Sequence, residues 1–166
     1  MTKTIYLAGG CFWGTEHFMG LIPGVTATEV GYANSNTPDP SYQLVCAGTT
    51  DAAETVRVDY DPERVTLRRI LDLYFLTIDP TSVNRQGGDS GTQYRTGIYY
   101  TDPDDAPTVD AALVDLAARC SGPIAVESGR LVNFYPAEKY HQGYLDANPG
   151  GYCHINPALF DIARRG

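Results

Sequence analysis

The order in which hydrophobic periodicities change along this chain limits its fold more than any other feature. Residues 5–8 read as a buried strand, and Phe12, Glu16, Met19 and Gly20 then recur at helical spacing. Residues 25–33 alternate around β-formers until the breaker Asn34-Ser35-Asn36-Thr37-Pro38-Asp39-Pro40. Val56, Val58 and Tyr60 alternate with Thr55, Arg57 and Asp59, a half-buried strand that stops at Asp61-Pro62, with Glu54 at its entrance. Leu67, Ile70, Leu71, Tyr74, Phe75 and Ile78 predict a helix, with Thr66 as N-cap and Pro80 beyond its end. A polar, glycine-bearing loop over 81–95 leads to a strand at 96–100. A second long helix follows Asp105, with Pro107 in its first turn and Val109, Ala112, Leu113, Leu116 and Ala117 on one face; Cys120 extends that stripe as a packed core thiol. A last strand at 124–127 running on towards Phe134, a helix over 137–147 and a glycine-rich tail complete the chain. Strand, helix, strand, strand, helix, strand, helix, strand predicts an α+β fold: a sandwich in which helices cover a mixed or antiparallel sheet, related to the ferredoxin-like plait.

Composition narrows the possible functions. The net charge of −8 argues against a nonspecific nucleic-acid surface. No basic region precedes a long apolar stretch and no segment reaches membrane-spanning length, so the expectation is a cytoplasmic protein with no membrane contact. The four cysteines, at 11, 46, 120 and 153, are too widely spaced for a small disulfide scaffold, which leaves redox or nucleophilic use.

The segment Gly9-Gly10-Cys11-Phe12-Trp13-Gly14-Thr15-Glu16 sets a thiol and two aromatic rings at a strand-to-helix junction. Free amide N–H groups and the positive end of the helix dipole favour a thiolate there, so a lowered Cys11 pKa is expected. Other cysteine chemistries fit less well. A cysteine phosphatase needs an arginine six positions on, where His17 stands, and Cys11, His141 and Asn148 match no protease signature. No cysteine or histidine pair has metal-ligand spacing, so no metal is expected. A peptide-binding module built on the Phe12-Trp13 platform is the non-enzymatic alternative.

Gly10-Cys11-Phe12-Trp13-Gly14 is one of several motifs that carry a resemblance. The others are Gly31-Tyr32-Ala33, Pro40-Ser41-Tyr42 leading to Val45-Cys46, Ala53-Glu54, Asn84-Arg85-Gln86-Gly87, Asp89-Ser90-Gly91-Thr92-Gln93-Tyr94-Arg95, Tyr140-His141-Gln142 and Gly151-Tyr152-Cys153. In this order, over nearly the whole chain, they resemble the A-type peptide methionine sulfoxide reductases. The resemblance implies one catalytic domain over 1–166, with a mobile tail from about 149 to 166 carrying a resolving cysteine. It also implies reduction of the S epimer of methionine sulfoxide, free or in proteins, by a monomer with no bound cofactor, recycled by thioredoxin or another dithiol.

The residues suit that chemistry. A methyl sulfoxide presents an electrophilic sulfur, an accepting oxygen and an apolar methyl group. Cys11 would attack sulfur, Phe12 and Trp13 would box the methyl, and Glu54, held protonated by burial with a pKa near about 6–7, would protonate the oxygen. Tyr42 and Tyr94 would add phenolic donors, as the resemblance implies, with Asp89 at the pocket rim and Tyr144 as a further pocket residue. Cys11 would be left as a sulfenic acid that Cys153 resolves to a disulfide. No cysteine follows Cys153, so thioredoxin would reduce that disulfide directly. His141 is expected to hydrogen-bond within a helix end, and His17 and His154 to lie on the surface.

Overall fold

Strand β1 (Lys3–Ala8) lies inside a six-stranded sheet because both of its neighbours pair with it antiparallel: β3 (Ala53–Tyr60) on one side and β6 (Gly97–Tyr100) on the other. Strand β2 (Val25–Ala33) pairs with the far edge of β3 and sets Tyr32 opposite Glu54. The central order β6-β1-β3-β2 is the expected plait, and the α+β class is as predicted. In the computed structural model, which describes residues 1–166, β7 (Glu127–Arg130) adds in parallel to β6 and β8 (Phe134–Pro136) adds to β2 at the opposite edge.

The inward positions of these strands meet two helices. Ile5, Leu7, Val30, Val56 and Val58 are fully buried and join one apolar core with Phe18 and Met19 of α1 (Phe12–Gly20) and Ile70, Leu71 and Tyr74 of α3 (Leu67–Phe75). Between β2 and β3 lies the short helix α2 (Tyr42–Cys46), capped by the Ser41 hydroxyl. Thr66 caps α3 as predicted, but the helix stops short of Ile78. Its last amides close back three residues, Leu76 to Leu73 and Thr77 to Tyr74, and the Thr77 hydroxyl donates to the Tyr74 carbonyl. Helix α4 (Ala106–Arg119) packs Val109, Ala112 and Leu116 inward, while Ala117 is exposed and half-buried Cys120 forms its C-cap against the core.

Three readings of the C-terminal third need correction. The last strand is two strands on opposite edges, joined by residues that put Leu131 and Phe134 on a patch of Ala8, Ala33, Ala53 and Tyr99. Alternation along one strand carries no information about which edge it joins. Residues 137–147 are not one helix. Gly143 sits at φ +61, and the Gln142 amide is tied to both backbone groups of Val30, leaving a short turn at Lys139–His141 and α5 (Tyr144–Ala147). The glycine-rich tail ends in α6 (Ala158–Arg165), whose Ala163 is fully buried.

Candidate active site

Antiparallel pairing brings four separate segments to one end of the sheet: the loops after β1 and β2, the start of β3 and the approach to β6. Cys11, Tyr42, Glu54 and Tyr94 lie on those segments. The turn into α1 needs glycine at Gly10, where φ is +80 and a Cβ would stand 2.9 Å from Gln86 Cβ. The Gly10 amide donates to the Tyr94 carbonyl at 3.2 Å, and the Tyr74 hydroxyl donates to the Ala8 carbonyl, so the strand end before the turn is anchored from below.

Cys11 is the N-cap residue of α1 and is 8% exposed. The expected lowering of its pKa is wrong for the resting site. Burial and the neighbouring Glu54 and Asp89 carboxyls push the thiol far up, and the Trp13 backbone amide offsets them only in part. A helix end is legible in the local sequence; the depth of burial is not. Phe12 is likewise a core residue, 1% exposed, and only Trp13 reaches the surface.

Glu54 is 1% exposed. Its Oε1 accepts the Phe12 amide at 3.3 Å, while Oε2 is buried with no partner. Burial, reinforced by Asp89 against the Phe12 hydrogen bond, pushes its pKa up to about 8. The carboxyl is therefore protonated at neutral pH. Half-buried Tyr42 and Tyr94 both lie in its field, and burial raises both phenols, so both are O–H donors at every physiological pH.

An aromatic wall stands opposite. The Trp13 indole stacks on Tyr144 with centroids 3.8 Å apart and planes at 12°, and its Nε1 donates to His141 Nδ1 at 3.0 Å. His141 is buried between Phe12, Tyr42 and Tyr140 rather than bonded within a helix end. Because Nδ1 accepts, the proton sits on Nε2, and burial lowers the ring's pKa and keeps it neutral. Glu138 was not foreseen either. It accepts the Tyr32 hydroxyl at 2.8 Å and the Tyr42 amide at 3.0 Å, and with its own backbone bond these outweigh burial and hold its pKa low. The nearest sequence signal was the polar run Glu138-Lys139-Tyr140-His141-Gln142.

Asp89 lies on the small hairpin β4 (Arg85–Gln86) and β5 (Asp89–Ser90), its Oδ2 buried without a partner and its carboxyl beside the Tyr152 phenol. Cys153 is half-buried, with Sγ 2.9 Å from where a Cβ on Gly14 would stand, one turn along α1 from Cys11. It also lines a surface cleft of about 300 Å³ with His17, Leu145, Ile155 and Phe160. All four cysteines are free thiols; Cys46 is exposed at the end of α2, with Glu54 and Tyr42 for neighbours. His17 is half-buried against Asp146 and Phe160, and His154 is half-buried, so neither is the free surface residue expected. No three His, Cys, Asp or Glu residues gather as a metal site.

A family model described as peptide methionine sulfoxide reductase matches residues 3–164. A peptide methionine sulfoxide reductase MsrA from Lachnoclostridium phytofermentans is 54% identical over 164 residues, covering 99% of each chain. The reduced form of Mxr1 from Saccharomyces cerevisiae superposes with a TM-score of 0.88 at 40% identity, covering 93% of this chain and 91% of that one. Mxr1 in complex with Trx2 superposes with a TM-score of 0.62 at 28% identity, over 86% and 84%.

Proposed function

The chain belongs to the peptide methionine sulfoxide reductase family, and from that membership we propose how its residues divide the work. It is an oxidoreductase that returns methionine sulfoxide to methionine. The methyl sulfoxide lies against Trp13, with buried Phe12 behind it, its oxygen towards Glu54, Tyr42 and Tyr94, and Asp89 and Tyr144 form the rim. Only one epimer can place its methyl on the aromatic wall, its oxygen at the donors and its sulfur at Cys11, which is the S epimer in this reading.

Cys11 attacks the sulfoxide sulfur. Its raised pKa means that no free thiolate waits in the resting site. Glu54 therefore gives its Oε2 proton to the oxygen and takes up the thiol proton, so charge never accumulates in the dry cleft. Methionine leaves, the oxygen stays on Cys11, and the substrate sulfur has gained the two electrons that Cys11 lost. Cys153 then attacks the sulfenic acid, releasing water and forming the Cys11–Cys153 disulfide.

Thioredoxin, or another dithiol, closes the cycle, and the solved complex of the relative Mxr1 with Trx2 supports that partner. The cleft on the outer side of Cys153 leaves its sulfur open to such a reductant. We place the enzyme in the cytoplasm as a monomer, one catalytic domain in which the glycine-bearing stretch 149–154, ahead of buried Ile155 and α6, moves as Cys153 closes on Cys11; no helix is long and apolar enough to cross a membrane. Free and protein-bound methionine sulfoxide both serve as substrate.

The observation that carries this division is a proton-holding carboxyl bonded to the first amide after the nucleophile. Mass mapping after a single turnover tests it. Cys153→Ser releases one methionine per chain and retains one oxygen on Cys11, and Cys11→Ser releases none. An oxygen mapped to Cys46 or Cys120 would reject the division.

A further inference from the structure

The ring of His154 fills a slot that three glycines leave open. A Cβ on Gly10 would stand 3.0 Å from its Nε2, one on Gly14 3.3 Å from its Nδ1, and one on Gly87 3.4 Å from its Cβ. Both ring nitrogens are buried and neither makes a full hydrogen bond; the Gly9 carbonyl is the one acceptor close enough to favour a protonated ring, so the imidazole is under-satisfied. Cys153 Sγ stands 2.9 Å from the same point above Gly14, so thiol and imidazole border one site over the first turn of α1, with no hydrogen bond between them at rest. The thiol's own contact is a long one, 3.7 Å to the Ile155 carbonyl.

From this geometry we infer that His154 is the general base of the second step, taking the thiol proton of Cys153 as its sulfur attacks the Cys11 sulfenic acid. The inference rests on the assignment of Cys153 as the resolving thiol. The S–S bond forms as the Cys11 S–O bond breaks; Cys153 is oxidised and Cys11 reduced. The thiol proton goes to His154, the oxygen leaves as water with the proton of Glu54, and the imidazolium proton then returns to that carboxylate or to solvent.

The electrostatics agree with this role. Burial pushes the Cys153 thiol up, so unaided it is a poor nucleophile near neutral pH. Burial pushes His154 down, which leaves a neutral ring able to accept a proton, while Asp89 and the Gly9 carbonyl favour the protonated form once it appears. The titratable groups around the ring are Asp89 from β5, and Tyr152 and Cys153 on its own segment.

The test is a quenched single turnover with methionine sulfoxide, in which dimedone captures sulfenic acid and intact mass counts methionine release, sulfenic acid and disulfide over a range of pH. In His154→Gln, which keeps bulk but cannot carry a proton, disulfide formation slows at least about tenfold relative to the methionine burst of the same protein, and sulfenic acid accumulates. The fall in disulfide rate that the parent shows below neutral pH, as the base protonates, disappears. His154→Ala gives the same result with the slot emptied. Disulfide rates within about twofold of the parent in both variants, or slower rates that keep the parental pH profile, would overturn the inference. A parent that forms no Cys11–Cys153 disulfide rejects the resolving role itself, and this inference with it.

Discussion

The backbone N–H of Phe12 donates to Oε1 of Glu54, so the helix that presents the proposed nucleophile also grips the proposed acid. One carboxylate oxygen is thereby held, and the other, buried and without a partner, is the atom that carries the proton. The same burial that makes Glu54 an acid at neutral pH makes it a liability to the fold.

That liability is measurable. The fold keeps a Glu54 proton that the unfolded chain releases above its ordinary value of 4.5, so stability falls as pH rises from there through about 8. Across about pH 6.5 to 8, comparison of the parent with Glu54→Gln isolates this carboxyl, because whatever else titrates is common to both. Urea denaturation across that window should show a loss on the order of a few kcal/mol, and Glu54→Gln should flatten the larger part of it while lowering activity at least about a hundredfold. Burial raises Glu16 in the same direction, offset by the Gly143 amide and the Thr28 hydroxyl.

Trp13 depends on His141 for its orientation. Replacing His141 with Leu removes the acceptor of the indole N–H and frees the ring to turn from the methyl box. We expect kcat/KM to fall about tenfold, carried by KM, with a stability loss of about 1–3 kcal/mol. Steady-state kinetics with free methionine sulfoxide, alongside thermal melting, reads both.

Gly14 keeps the place over α1 clear for Cys153. In Gly14→Ala the new methyl would lie 2.9 Å from Cys153 Sγ, so the cysteine must move. Alanine also improves helix propensity by about 1 kcal/mol, so the helix itself does not suffer. Single-turnover analysis should find the methionine burst intact and disulfide formation slowed.

Tyr74 ties α3 to the strand end beneath the catalytic turn. Its hydroxyl donates to Ala8 and accepts the Gly97 amide at 3.2 Å, both buried. Tyr74→Phe strands two backbone groups and should cost about 1–3 kcal/mol in urea denaturation.

Elements whose cue is local were legible in the sequence. Residues 25–33 and the Thr66-capped helix follow from alternation and capping alone. The split of β7 from β8 depends on a patch of three alanines and Tyr99 drawn from four other strands, which no window of the chain displays. The candidate site divides the same way. Cys11, Tyr42, Glu54, Tyr94 and Cys153 sit in motifs whose chemistry can be read locally; His141 sits in one too, but its contact is Trp13, 128 positions away, and His154 packs on glycines at the other end of the chain. The error over the Cys11 pKa has the same origin: a helix end can be read from a heptapeptide, but burial belongs to the whole fold.

In the proposed mechanism Glu54, not a resting Cys11 thiolate, governs the first step, and the pH dependence of the methionine burst in single-turnover mixing measures this directly. The burst rate should be level below neutrality and fall as pH rises through about 8, the value of the buried carboxyl, and Glu54→Gln should be slow with no such fall. A burst that instead accelerates through that range, as ionisation of a thiol would require, would contradict it.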